Sequence, residues 1–347
     1  MPKDLVDELI EHNRQQSRLF TDAGLSAERR RYRAAHPTEI VTLECMDGRV
    51  NIPLLTETPM GIVTSVRNIG GKFDLGWNAL QHRLAGIVEY SIGKGRMNLV
   101  LATYHYAKGD SHRGCRGHAY DADAARANAR DLVDQIDEIF GQGREQVDAI
   151  MVGVETDDEA LVFHDRAGER AVTMTEFASA DESDYRRLID ELYPDMRRPV
   201  AEDLLPLVRG SVEHLRRLSG TKRTPVQIEH TERILAIGDG FDWLHRPNYA
   251  LIINDFDPQM DDAIAAGAKI IEENAKAKRI PRGEALLFAC APYSRQGHFK
   301  AQAVRRARYL TKLGQETLQK HHPHLTKTFR PLTGVVDLHT RELEIVD

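Results

Sequence analysis

Apolar and polar positions along this chain alternate between two rhythms. Leu5, Leu9 and Ile10 recur at helical spacing, and a helical arm follows to residue 36, broken at Asp22–Leu25 and stopped before His36-Pro37. "EIVTLECMD" and "MGIVTSVRNIGG" are β-rich runs, the second ending on a glycine pair. Trp77, Leu80, Leu84, Ile87 and Val88 return to helical spacing. "MNLVLATYHY" is continuous enough to predict a strand buried on both faces. Beyond the loop Ala107–Gly117, an alanine-rich helix runs from Ala122 to Phe140, and "VDAIMVGVE" and "ALVFHD" predict two more strands. Strands alternating with helices imply an α/β fold with mainly parallel sheets.

From about Pro199 the pattern restarts. "RILAIGDGF" lies over "VTLECMDGR" when Asp239-Gly240 is matched to Asp47-Gly48, and "EALLFACAPY" lies over "MNLVLATYHY". A helical pattern over Met260–Lys278 precedes this later strand, and "LTGVVDLHTRELEIVD" closes the second half as "MVGVETDDEALVFHD" closes the first. On these matches Ile237 replaces Cys45 and Pro292 replaces His105. The expected organisation is therefore a helical arm (1–36), a first lobe (37–198) and a second lobe (199–347) that repeats the first without its polar chemistry.

Composition narrows the function classes. The 347 residues carry 47 basic and 53 acidic side chains with no long block of one sign, which argues against bulk attraction to nucleic acid or an anionic membrane. No segment approaches the ~18 apolar residues of a membrane span, and the N-terminus lacks a continuous apolar core of the secretory type. Three cysteines are too few for a disulfide framework, so a reducing, cytoplasmic setting is expected. Each thiol is then either a small core residue or a ligand.

Neighbours separate those readings. Cys45 ends one predicted strand and Cys115 follows another, and in a parallel sheet both carboxyl ends open on one edge. Zinc favours thiolate and imidazole, and a catalytic site uses three protein ligands with a fourth position left for water. Three histidines lie close to Cys115, namely His105, His112 and His118. Cys45, Asp47 and Arg49 alternate, so in an extended segment their side chains share a face. A carboxylate that near zinc could close the site as a fourth ligand. Pairing with the Arg49 guanidinium would keep Asp47 off the metal and ready to accept a proton.

"CMDGR" resembles the Cys-x-Asp-x-Arg signature of β-class carbonic anhydrases. "VRNIGG" is similar to the Arg-Asn-x-Gly segment that follows it there, and "SHRGC" to their His-x-x-Cys. The longer loop before Cys115, "GCRGHAYD", and the later "IEHTERILAIGDGF" resemble more closely the carboxysome-shell carbonic anhydrases, a branch of fused β-class lobes in which only the first keeps zinc. The likeness covers roughly Pro37 to Asp347.

The resemblance implies a zinc enzyme that reversibly hydrates carbon dioxide to bicarbonate by zinc-hydroxide attack, with an Asp47–Arg49 dyad and no organic cofactor. Ordinary β-class spacing would choose His112 as the ligand and the carboxysomal branch His105. His105 also stands directly at a strand end, so the expected set is Cys45, His105 and Cys115, with His112 the alternative. His112 and His118 then become candidates for proton transfer or for contacts behind the ligands. Two thiolates and an imidazole cancel the zinc charge, so bound water should ionise above ~7 and activity should rise into the alkaline range.

By the same analogy the second lobe fills the place of a partner subunit, and the whole chain is expected as a homodimer. About 36 residues precede the first strand, fewer than in that branch. A free cytoplasmic enzyme and an encapsulated one touching carboxysome shell or Rubisco both remain open. Carbon disulfide or carbonyl sulfide hydrolysis and a scaffold role with structural zinc are the competing readings. Elsewhere "GKG" (Gly93–Gly95) fits a helix C-cap turn, Cys290 fits a core position, and His321, His322 and His324 fit a surface turn with no acid nearby.

Overall fold

The computed structural model describes residues 4–141, 147–219, 229–244, 246–281, 284–294 and 299–346. Met1–Lys3 and Asp347, which end segments read from the sequence, lie outside them. The chain divides into two compact units. One comprises 29–45 and 49–228, and the other 1–28, 46–48 and 229–347.

The first unit is built on a six-stranded sheet of order β2-β1-β3-β4-β5-β6. Its strands are β1 (Glu39–Cys45), β2 (Val63–Asn68), β3 (Asn98–Tyr106), β4 (Val147–Glu155), β5 (Ala160–His164) and β6 (Ala171–Thr173). The pairs β1–β2, β1–β3 and β3–β4 are parallel, and the last two strands turn back antiparallel. The central strands are buried except at Glu39 and Tyr106, with Leu43, Leu99, Leu101, Val152 and Val154 completely so, which is why they read as continuous apolar runs. Helix α4 (Asn78–Ile92) ends at Gly93, in keeping with the cap turn expected there. Helix α5 (Ala122–Ile136) starts where the Asp121 carboxylate accepts the amides of Asp123 and Ala124, and packs on β3 and β4. Strand β6 carries no signal in the sequence. Three residues give too little alternation to register.

The second unit has a five-stranded sheet of order β11-β10-β9-β7-β8. Its strands are β7 (Ile234–Gly238), β8 (Ala250–Ile253), β9 (Ala285–Tyr293), β10 (Phe329–Asp337) and β11 (Leu343–Ile345). Three parallel pairings and an antiparallel last strand repeat the start of the first sheet. The expected α/β fold with two repeating, mainly parallel lobes is therefore observed. Helices α8 (Met260–Lys276) and α9 (Lys300–His321) pack on this sheet, over a core that includes Trp243 and Phe288.

Register corrects one match. Leu43 pairs with Ala102, and Leu235 pairs with Leu287. With Ile237 standing for Cys45, the residue in the place of His105 is Cys290 rather than Pro292. Sequence matching carries no pairing information, so a slip of two residues passes unnoticed. Cys290 is fully buried, as expected of a core thiol.

Two segments pack other than where the chain order suggested. Helix α1 (Leu5–Thr21) belongs to the second unit, where Asn13 donates to Arg341 O at 2.8 Å and accepts the Leu343 amide at 2.8 Å. Helix α2 (Ala23–Ala35) leads instead into the first unit, where His36 and the Thr38 amide meet the Asp203 carboxylate at 3.2 and 2.8 Å. Helix α7 (Arg198–Ser219), at the point where the pattern restarts, packs within the first unit against α3 (Ile52–Leu55), α6 (Glu182–Leu192) and β5. Among the described residues no helix is long and apolar enough to cross a membrane.

Candidate metal centre

Three chain segments converge at the carboxyl edge of the first sheet. Cys45 is the last residue of β1, His105 the penultimate residue of β3, and Cys115 sits in the loop after β3, just ahead of a short turn, Arg116–His118. All three are buried, at 5%, 1% and 2% exposure. Their ligand atoms lie within 4.8 Å of one another. The two sulfurs are 4.0 Å apart and are not joined in a disulfide. Tetrahedral zinc with two thiolates at about 2.3 Å would hold those sulfurs about 3.8 Å apart, so the donor set fits that ion with little movement. The contact with Cys115 and burial push the Cys45 thiol well up, although His105 opposes this, so metal capture would release protons.

The neighbouring turn explains the glycine pair of "VRNIGG". Gly70 and Gly71 adopt φ of 69° and 62°, and a Cβ on Gly71 would stand 3.1 Å from Thr103 O and 3.5 Å from the Cys45 amide nitrogen. Gly117 crosses this turn so closely that a Cβ there would lie 2.5 Å from the Gly70 Cα. Backbone therefore lies on backbone between the β2 turn and the Cys115 turn. His118 ties them at its ring, with Nε2 3.0 Å from Gly70 O, and burial lowers its pKa.

A buried ion pair lies behind β1. Arg67 Nη2 is 2.7 Å from Glu44 Oε2, and both side chains are almost wholly excluded from solvent. Ser65 Oγ donates to the same carboxylate at 3.0 Å, and Thr42 also bonds to it. Glu44 is the residue before the ligand candidate Cys45, so this network fixes the end of β1 in place.

The other expected residues fall as follows. Arg49 is buried and donates from Nη2 to Arg113 O at 2.6 Å, while Arg113 in turn meets Asp157 at 2.9 Å. Burial alone would raise the Asp157 pKa, but the Arg113 bond and the Gly109 amide hold it below the usual carboxylate range. The His105–Cys115 loop is thus anchored on the end of β4. His112 is not in the buried cluster; it stands 80% exposed with Nδ1 3.4 Å from Asp110. Asp47 is buried within the second unit's set of contacts, with Oδ2 3.8 Å from His230 Nε2. His230 and Glu232 were missed from the sequence. Their signal is a pair of alternate polar positions just ahead of β7, whereas Cys45 and Asp47 stand at and beyond the end of β1. The histidines near the C-terminus also need a correction, since His324 Nε2 is 3.0 Å from Glu272 Oε1 and an acid is therefore at hand.

Strand ends that bring two buried thiols and a buried imidazole together define an α/β protein with a candidate catalytic metal centre. A family description, carboxysome shell carbonic anhydrase, catalytic domain, matches residues 29–204, about half of the chain, and the chain belongs to that family. Among curated relatives, the carboxysome shell carbonic anhydrase of Prochlorococcus marinus (strain MIT 9313) is 24% identical over 234 residues, covering 59% of this chain and 45% of the relative. That of Halothiobacillus neapolitanus (strain ATCC 23641 / c2) is 23% identical over 246 residues, covering 59% and 48%. The matches thus span less than half the length of each relative.

Proposed function

We propose that this protein catalyses the reversible hydration of carbon dioxide to bicarbonate, using zinc held by Cys45, His105 and Cys115. The observation that carries the reading is the buried thiol–imidazole–thiol cluster lying inside the segment matched to a carbonic anhydrase catalytic domain. A zinc ion held there supplies a Lewis acid that lowers the pKa of a bound water.

The chain's own residues supply the rest. Burial of the three donors keeps bulk water from competing for the metal. The Glu44–Arg67 pair and the Gly70–Gly117 crossing hold the two cysteine-bearing segments at ligand distance. Asp47 serves as the proton acceptor and Arg49 as its partner, and the Arg49 bond to Arg113 O orients that guanidinium. The repeat sheet of the second unit has Ile237 at the place of Cys45 and acts as a structural partner. A homodimer and, from the names of the relatives, a carboxysome-shell association belong to the same proposal. Sedimentation and cell fractionation test them.

The deciding experiment is stopped-flow carbon dioxide hydration with zinc quantified on the same sample. About one zinc per chain is expected, with metal and activity lost in Cys45→Ser, His105→Ala and Cys115→Ser and retained in His112→Ala. Stoichiometric zinc without hydration at any pH would leave a structural metal or sulfide-hydrolase chemistry instead.

A further inference from the structure

Glu232 is completely buried, and its contacts account for a carboxylate in such a place. Its Oε1 accepts the Gly48 amide at 3.2 Å. Both oxygens face His230 Nδ1, at 3.3 and 3.2 Å, and Asn274 Nδ2 approaches from the other side, 3.2 Å from Glu232 O and 3.4 Å from Oε2. The opposite ring nitrogen of His230 faces Asp47 Oδ2 at 3.8 Å. One carboxylate therefore holds the backbone of the Asp47-Gly48 turn directly and the Asp47 side chain through an imidazole. Gly48 is required for this approach, because a Cβ there would lie 2.9 Å from Ala250 O and 3.2 Å from the Glu232 side chain.

We infer that Glu232 and His230 are positioning residues for Asp47: Glu232 fixes the Gly48 amide and the Nδ1 edge of His230, and the Nε2 edge of His230 sets the orientation of the Asp47 carboxylate. This rests on the reading of Asp47 as the working carboxylate in hydration. The imidazole lies between two carboxylates, one at each ring edge, and orientation of a reacting group by contacts behind it is worth about 10- to 100-fold in activity. The pattern His-x-Glu ahead of β7 thereby gains a role in the repeat lobe.

The test is a double-mutant cycle on the full-length protein. Glu232→Gln, His230→Ala and Asp47→Asn are made singly, and the first two are combined with the third. Zinc per chain, urea midpoint, kcat and KM for carbon dioxide are measured on each. Glu232→Gln and His230→Ala should each lower kcat by about tenfold or more with KM and zinc content unchanged. Neither should lower kcat further in the Asp47→Asn background. Additive losses there, or losses explained wholly by lost zinc or stability, overturn the proposal. So does a second equivalent of zinc that disappears in Glu232→Gln, which would make the cluster a metal site.

A readout independent of turnover comes from long-range 1H–15N spectra of 15N-histidine-labelled protein. His230 should carry a proton on Nε2 toward Asp47 as well as on Nδ1 toward Glu232, with or without zinc, and its Nε2 resonance should move in Asp47→Asn. An unprotonated Nδ1 or an unmoved Nε2 overturns the tether even if hydration proves real. A wild-type protein without hydration, or full activity in Asp47→Asn, overturns the functional reading instead, and the spectra still decide the contact.

Discussion

Replacing Gly117 by alanine tests whether the crossing of two turns builds the metal centre. The added Cβ would meet Gly70 Cα at 2.5 Å, Gly70 N at 2.6 Å and the Ile69 carbonyl carbon at 3.2 Å, all backbone atoms that cannot swing aside. Overpacking of this kind costs about 1–3 kcal/mol. Relief requires the 116–118 turn to lift, and Cys115 is the residue immediately before it. Without metal the turn can shift at modest cost, whereas with metal bound Cys115 must return, so the strain weighs on affinity. One to three kcal/mol corresponds to a zinc Kd raised about five- to 150-fold. Chelator competition at fixed pH measures it. Gly86→Ala is the control, since a Cβ there meets no atom within 4 Å, and in the middle of α4 it should stabilise by about 0.5–1 kcal/mol. Wild-type zinc affinity in Gly117→Ala would refute the reasoning, as would an affinity loss of equal size in Gly86→Ala.

Other consequences follow from single groups. Arg67→Met leaves Glu44 buried without its counter-charge and should cost about 3–5 kcal/mol in urea unfolding, with partial recovery when Glu44→Gln is added. Burial, helped by Arg126, holds the His164 imidazole at about 4 against its usual 6.5. As pH falls through 6.5 the unfolded chain takes up a proton that the native state refuses until about 4, so the contribution of His164 is complete above 6.5 and is lost between the two. The loss amounts to about 3 kcal/mol. Unfolding titrations of wild type and His164→Gln should show a shallower pH slope in the variant across that window. Hydration should increase from neutral into the alkaline range, because two thiolates neutralise the metal charge; a flat profile from pH-jump stopped flow would contradict it.

Much of this protein can be read along the chain. Continuous apolar runs bounded by turns fixed the parallel core strands, because a strand buried on both faces has no room for polar alternation. Cys45, His105 and Cys115 could be chosen because a parallel sheet sends all its carboxyl ends to one edge, so position along a strand stands for position in space. That logic stops at the strand ends. The tertiary structure alone decided that Cys290 and not Pro292 holds the corresponding place in the repeat, and that Glu44 meets Arg67. It also decided that α1 and α2 divide between the two units, and that Glu232 reaches the Gly48 amide. Each depends on strand register or on contact between residues many positions apart, and local periodicity carries no term for either. Polar residues that work through such contacts look, in sequence, like ordinary surface charge.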